Sequence, residues 1–230
     1  LNWAERNEAW EGRAKALGER AVLHVGHRTP EAQRVIFELQ KSVILPLFER
    51  EVAPILAQEG LFPGTLTLDF GCGVGRWSHE LARITGSAVL GIDPTRQFVE
   101  YCRERHSNPE GTPFVSFELY ENGKINAGKF SFDVIFACMV LSTILDVDGG
   151  MFEATMYELG RVIREGGLFF LVDNTSGPPN RPIVRSPYSI SRTVEEYVSA
   201  AKRYMGIELR VIGGYVDLGE TNTIFAGRKA

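Results

Sequence analysis

Hydrophobic positions along this chain follow two rhythms that alternate. Short apolar runs of strand length lie at residues 65–70, 88–92, 113–119, 132–138, 167–173, 207–213 and 222–228. Between them, segments 75–85, 96–106, 151–163 and 193–205 carry apolar residues at helical spacing, as Trp77, Leu81 and Ile84 do in the first. Strands alternating with helices predict an α/β fold with a parallel, doubly wound sheet covered on both faces. The last two strands are joined through Gly213 to Thr221 without a helix, so they are expected to form a hairpin. No internal repeat or low-complexity tract breaks the order, and 230 residues suit a single domain.

Two helical stretches precede the first strand. Residues 3–17 place Trp3, Trp10, Ala14 and Leu17 on one face. Thr29-Pro30, a cap followed by a first-turn proline, opens a helix through Leu45. Pro46 should end or kink it, with a second stretch running to about Gln58. Residues 18–28, which hold His24, Gly26 and His27, have no clear period. The pattern divides the single domain 1–230 into an N-terminal helical cap or lid, 1–60, and an α/β core, 61–230. Whether the helices close over a site or sit passively on a sheet face is left open.

Composition removes several classes. The formal net charge of −4 lacks the basic excess of a nucleic-acid-binding domain. Cys72, Cys102 and Cys138 are scattered without a C-x-x-C pair, which suits a reducing cytoplasm and offers no metal site. The apolar run Phe132–Leu141 is too short to span a bilayer, so no membrane insertion is expected, and no leader pattern opens the chain. A first residue of Leu1 rather than Met suits numbering that starts inside a longer chain.

Candidate chemistry concentrates at residues 68–75, Leu-Asp-Phe-Gly-Cys-Gly-Val-Gly, between the first core strand and the helix after it. Such a junction sets unpaired backbone N–H groups at a helix N-terminus beside a gap that only glycine leaves open, room for a flat, nucleoside-sized ligand. A dinucleotide fingerprint wants G-x-G-x-x-G with a small third residue, and Arg76 stands there instead. The G-x-G-x-G of Gly71, Gly73 and Gly75, preceded by Asp69, resembles the first motif of the class I S-adenosylmethionine (SAM)-dependent methyltransferases. The resemblance continues in order through Gly91-Ile92-Asp93 as the second strand's acidic end and Phe132-Asp133-Val134-Ile135 as the fourth strand. Leu159 to Asp173, with Arg164-Glu165-Gly166-Gly167, resembles that family's helix, turn and fifth strand. It implies a Rossmann-like, doubly wound seven-stranded sheet with an antiparallel C-terminal hairpin, one antiparallel edge strand and extra N-terminal helices. It also implies SAM as cofactor and S-adenosylhomocysteine as product.

By this resemblance Gly71, Cys72, Gly73 and Gly75 form the donor loop, and Asp69 orients the methionine amino group through the loop or a water. Asp69 also reads as a buried acid that ties down the glycine turn. Asp93, followed by Pro94, suits the ribose diol, though Asp-Pro equally starts a helix. Glu121 and Asn122 are candidates for the adenine amino group, while Asn122-Gly123 also reads as an ordinary turn. Cys138 and Met139 are expected to run beside the donor, where a core strand would look the same.

The acceptor side is less defined. The Asp/Asn-Pro-Pro-Tyr motif of enzymes that methylate nucleic-acid amino groups is missing; Val140-Leu141-Ser142-Thr143 stands there. The Gly177-Pro178-Pro179-Asn180 loop follows the fifth strand and is not that motif. Ser142 and Thr143 occupy places where many small-molecule members carry histidines. The polar loop Thr175 to Ser191 contains Arg181, Arg185 and Tyr188, which would suit an anionic acceptor or simply solvate the loop. His24 and His27 are the candidates for proton removal, against a structural role for each; His79 and His106 read as surface residues. The expected activity is methyl transfer to a small-molecule oxygen or nitrogen. The alternatives are a sugar or lipid-linked glycan acceptor, or a non-catalytic SAM-binding regulatory protein.

Overall fold

The computed structural model describes residues 3–22, 29–57, 66–106, 108, 113–145, 150–177, 182–186 and 188–230. His24, His27 and Arg181 lie outside the described residues. Helix α1 (Trp3–Leu17) leads through a 3-10 turn, Gly18–Val22, toward α2 (Pro30–Leu56). The core then runs β1 (Leu66–Phe70), α3 (Ser78–Thr85), β2 (Ala88–Asp93), α4 (Arg96–Arg105), β3 (Val115–Leu119), β4 (Phe132–Cys138), α5 (Gly150–Val162) and β5 (Ile163–Thr175). A small hairpin of β6 (Ile183–Ser186) and β7 (Ser189–Ser191) follows. The chain ends with α6 (Val194–Ala200), a π-helical turn over Ala201–Met205, β8 (Arg210–Asp217) and β9 (Glu220–Arg228).

The main sheet has seven strands in the order β3-β2-β1-β4-β5-β9-β8. Strand β1 pairs in parallel with both β2 and β4, so the winding direction reverses at β1 and opens a crevice at the strand carboxyl ends. The reversed strand is β9, antiparallel to β5 and to β8. It is therefore an inner strand, and the edge strand β8 runs with the parallel set, which corrects the expected antiparallel edge. Burial explains the order: β9 is buried along Asn222 to Gly227, whereas β8 alternates between exposed and half-buried. The hairpin is also tighter than the apolar pattern suggested. Strand β8 continues to Asp217, and Leu218-Gly219 turn the chain with both φ angles positive (48° and 79°), the geometry of a two-residue hairpin turn.

Both sheet faces are covered. On one, Phe152 and Tyr197 from α5 and α6 pack with Phe169, Leu171 and Phe225. On the other, Phe48 of α2 meets Phe136 and Phe170 edge-on, with ring centroids 5.5 and 5.3 Å away. Helix α2 starts as its cap signal requires, with Thr29 Oγ1 accepting from the Ala32 N–H at 3.1 Å. It does not end at Pro46; it runs through Pro46 and Pro54 to Leu56. Ile44, Phe48, Val52 and Ile55 form one buried stripe along it. Each such side chain contributes about 1.5–3 kcal/mol, enough together to offset the roughly 3 kcal/mol cost of an interior proline. Helix α3 starts three residues later than its period suggested, because Gly73 to Trp77 form turns that carry the chain around the crevice.

Candidate functional site

The glycine loop after β1 is held almost entirely from within. The N–H groups of Gly71 and Cys72 donate to the Ile92 carbonyl at 2.8 and 3.0 Å, and that of Gly75 donates to the Cys72 carbonyl at 2.9 Å. The Gly73 N–H donates to Asp93 Oδ2 at 3.0 Å. The unpaired N–H groups expected at this junction are thus already bonded, so these amides do not form an anion-binding nest for a pyrophosphate. What glycine supplies is closeness. Gly71 has φ +71°, and a Cβ on it would lie 2.2 Å from Val140 Cγ2; Gly73 has φ +54°, and its Cβ would lie 2.8 Å from Val22 Cγ1. Gly75 packs elsewhere, against His106 and Cys102.

Asp69 is 1% exposed and sits behind the loop. Its Oδ2 accepts from Ser78 Oγ at 2.6 Å, tying α3 to β1, and burial pushes its pKa up to about 7. Asp93 uses both oxygens locally, Oδ2 for Gly73 and Oδ1 for the Thr95 N–H at 2.8 Å. It thereby clamps the glycine loop to the start of α4 while also lining the crevice beside Pro94. Burial raises this carboxyl, and the two backbone hydrogen bonds partly oppose the shift.

Across the crevice, Met139 has φ 58°, in the left-handed region that a side chain disfavours, and its N–H donates to the Val172 carbonyl at 2.8 Å. Burial pushes the neighbouring Cys138 thiol up to about 12, so it is a neutral wall and not a thiolate. Gly71, Cys72, Gly73, Asp93, Pro94, Cys138 and Met139 come together here. Glu121 and Asn122 do not join them. Glu121 pairs with Arg96 at 3.5 Å on the exposed surface, and Asn122 (φ 55°) with Gly123 (φ 68°) makes the turn after β3.

Helix α1 forms the cover. Buried Arg6 reaches Thr143, Nε donating to the carbonyl at 3.2 Å and Nη2 to the hydroxyl at 2.8 Å. Burial lowers its pKa and the Asp93 charge acts to raise it. Glu11 accepts from the Arg96 N–H at 2.6 Å, at the first turn of α4. Trp10 meets Tyr188 of the small hairpin edge-on at 5.7 Å, with the Arg13 guanidinium over both rings at 5.5 and 5.0 Å. None of these tertiary partners of α1 is marked by sequence periodicity.

A second cavity, of about 320 Å³, adjoins the crevice and shares with it Trp10, Val22, Arg76, Met139 and Thr143. Tyr188 lines it, whereas Arg185 lies exposed on β6 with Nε donating to Ser191 Oγ at 3.0 Å. The guanidinium at the shared wall is that of Arg76, stacked on Phe37 at 4.8 Å and donating to Gln40 Oε1 at 3.4 Å. Burial lowers its pKa, and it is not paired with a carboxylate among the described residues. Its signal in the sequence was its place directly after the last motif glycine. Among the described residues there is no cluster of three or more histidine, cysteine or acidic side chains able to hold a metal.

A sheet of this winding, with its glycine loop and crevice at the reversal point, defines an α/β domain of the Rossmann type. Residues 68–169 match a family model described as a methyltransferase domain. A methyltransferase, GfsG, of Streptomyces halstedii is 32% identical over 125 residues, 54% of this chain and 43% of its own length. The O-methyltransferase cnsE of Penicillium expansum is 28% identical over 157 residues, 68% of this chain and 52% of that protein. The chain thus spans about half the length of these curated relatives. Magnesium protoporphyrin IX methyltransferase of Synechocystis PCC 6803, solved with bound SAM, shares the fold with a TM-score of 0.66 at 15% identity, covering 99% of this chain and 96% of its own.

Proposed function

We propose that this chain is an enzyme that transfers the methyl group of SAM to an oxygen or nitrogen of a small molecule. The observation that carries the reading is the junction of the two cavities at Met139, one bounded by the glycine loop and Asp93, the other by Tyr188 and the end of β5. Bound there, SAM supplies a methyl group already activated by its sulfonium. The protein's part is then alignment, worth up to roughly 7–11 kcal/mol when reacting atoms are held near contact.

Gly71 and Gly73 let the backbone approach the methionine and ribose portions of the donor. Asp93, held by two N–H groups, keeps lone pairs for the ribose diol, and Arg76 supplies a cation for the methionine carboxylate. Asp69 acts through the loop it anchors. His24 and His27 follow Val22, which lines both cavities, and are the proposed bases for an oxygen acceptor. Calorimetric titration should give binding of SAM and S-adenosylhomocysteine and none of NAD. Labelled methyl should pass from SAM into fractionated metabolites. NAD binding at low micromolar concentration without donor binding would overturn the reading.

A further inference from the structure

The face of the sheet under α2 is apolar until its last row. On β5 the side chains Leu168, Phe170 and Val172 of that face are buried in the core, and the next on the face is Asn174. On β9 the same face carries Ala226 and Ile224, and the next is Asn222. The strand register places Asn174 directly opposite Asn222. The two amides are 4% and 2% exposed, line the 320 Å³ cavity, and each leaves its Oδ1 without a hydrogen-bond partner among the described residues. The Asn222 amide is oriented by its own Nδ2, which donates to the Glu220 carbonyl at 3.4 Å, so turning it over would set oxygen against oxygen.

Buried acceptors without donors cost stability, and side by side they mark a place where a ligand completes the bonding. Trp10, Tyr188 and Val22 give the cavity aromatic and apolar surface, and Arg13, Gln40, Arg76, Asp217 and Glu220 line it as well. The volume lies at the small end of ordinary ligand pockets, about 300–1,000 Å³, which suits a few fused rings and not a long glycan. We propose that the Asn174–Asn222 pair is the specificity element for the acceptor, reading an O–H or N–H donor on a compact, flat, ring-bearing molecule held beneath Trp10 and Tyr188. This rests on the methyltransferase reading only in calling the occupant an acceptor.

The test uses matched probes, naphthols and hydroxyanthracenes against the parent naphthalene and anthracene and against their methyl ethers, which keep the oxygen and add one methyl group but lack the donor. Affinities are measured on the full chain with S-adenosylhomocysteine present. The hydroxylated member should bind at least about tenfold tighter than either. That preference should fall to within about twofold in Asn174→Leu and Asn222→Leu, and persist in Asn222→Asp, which retains an acceptor oxygen. Equal binding of the hydroxylated and unhydroxylated members by the unaltered protein, no binding of any, or an undiminished preference in both folded leucine variants would overturn the proposal. If the leucine variants do not fold, Asn174→Ser and Asn222→Ser answer the same question, a shortened side chain being expected to lose the preference. SAM affinity, titrated separately, reports on the methyltransferase reading alone. Failure of SAM to bind would sink that reading, while the hydroxyl preference would still decide the role of the pair.

Discussion

At Asp69 and Asp93 the same residue type meets two kinds of confinement. Asp69 is buried behind the loop with one strong hydrogen bond from Ser78, and burial lifts its pKa from 3.8 to about 7. A carboxyl whose folded pKa is raised favours folding most below its unfolded pKa, and that contribution is lost as pH rises through the folded value. Asp173, pushed up to about 6 by burial, acts in the same sense. Stability should therefore fall between about pH 4 and pH 8, and Asp69→Asn should flatten the upper part of the fall. Urea midpoints measured across that range check this, and a slope near pH 7 unchanged in the variant would count against it. Asp93 joins a cap-like bond to Thr95 with a place in the crevice wall. Asp93→Ala should weaken SAM binding by about 1.5–3 kcal/mol and lower folding stability by about 0.5–2 kcal/mol, read by calorimetry and thermal melting. A loss of stability with unaltered affinity would leave it only the clamp.

Among the elements, we propose that the N-terminal segment controls access to the crevice. Val22 lies against Gly73, and with it in place the crevice beside the glycine loop has only about 70 Å³ open, far less than a nucleoside-bearing donor fills. Helix α1 is attached through Arg6 to Thr143, Glu11 to α4 and Trp10 to Tyr188, and its Ala14 packs in an apolar cluster with Val74 and Phe98. Removal of residues 1–28 should leave the α/β core folded, quicken donor association and abolish turnover. Circular dichroism, stopped-flow binding and a methyl-transfer assay read the three effects. Full activity of the shortened chain would make the helices a passive cover.

The whole molecule stands on two apolar layers pressed onto one sheet, and Phe48 joins α2 to the strands that present Met139 and Asn174. It is fully buried between Phe136 and Phe170. Phe48→Ala should cost about 3–5 kcal/mol, seen as a lower denaturation midpoint, and should loosen the 320 Å³ cavity because Gln40 and Ile36, which line it, lie on the same helix. A loss under 1 kcal/mol would mean that α2 is not needed for the core. Among the described residues no helix is long and apolar enough to cross a membrane.

Order along the chain was enough for the core elements, the winding of the sheet and the place of the loop, but not for the β6–β7 hairpin, which lay in what read as a polar loop. Period-2 and period-3.6 patterns are local, and Gly71 and Gly73 answer a backbone demand that any alternative side chain would fail. Thr29-Pro30 was readable for the same reason, since caps depend on near neighbours, whereas Asp93 ends β2 and Thr95, not Asp93, precedes α4. What only the tertiary structure decided depends on residues far apart in sequence. It placed β9 inside the sheet and carried α2 through its prolines, because burial against distant strands outweighs local preference. It bonded the loop's N–H groups to Ile92 and Asp93, brought Arg76 to the wall between the cavities, and set Asn174 opposite Asn222 from strands forty-eight positions apart. Registry between strands and the closing of a cavity are properties of contacts, and no window of sequence contains them.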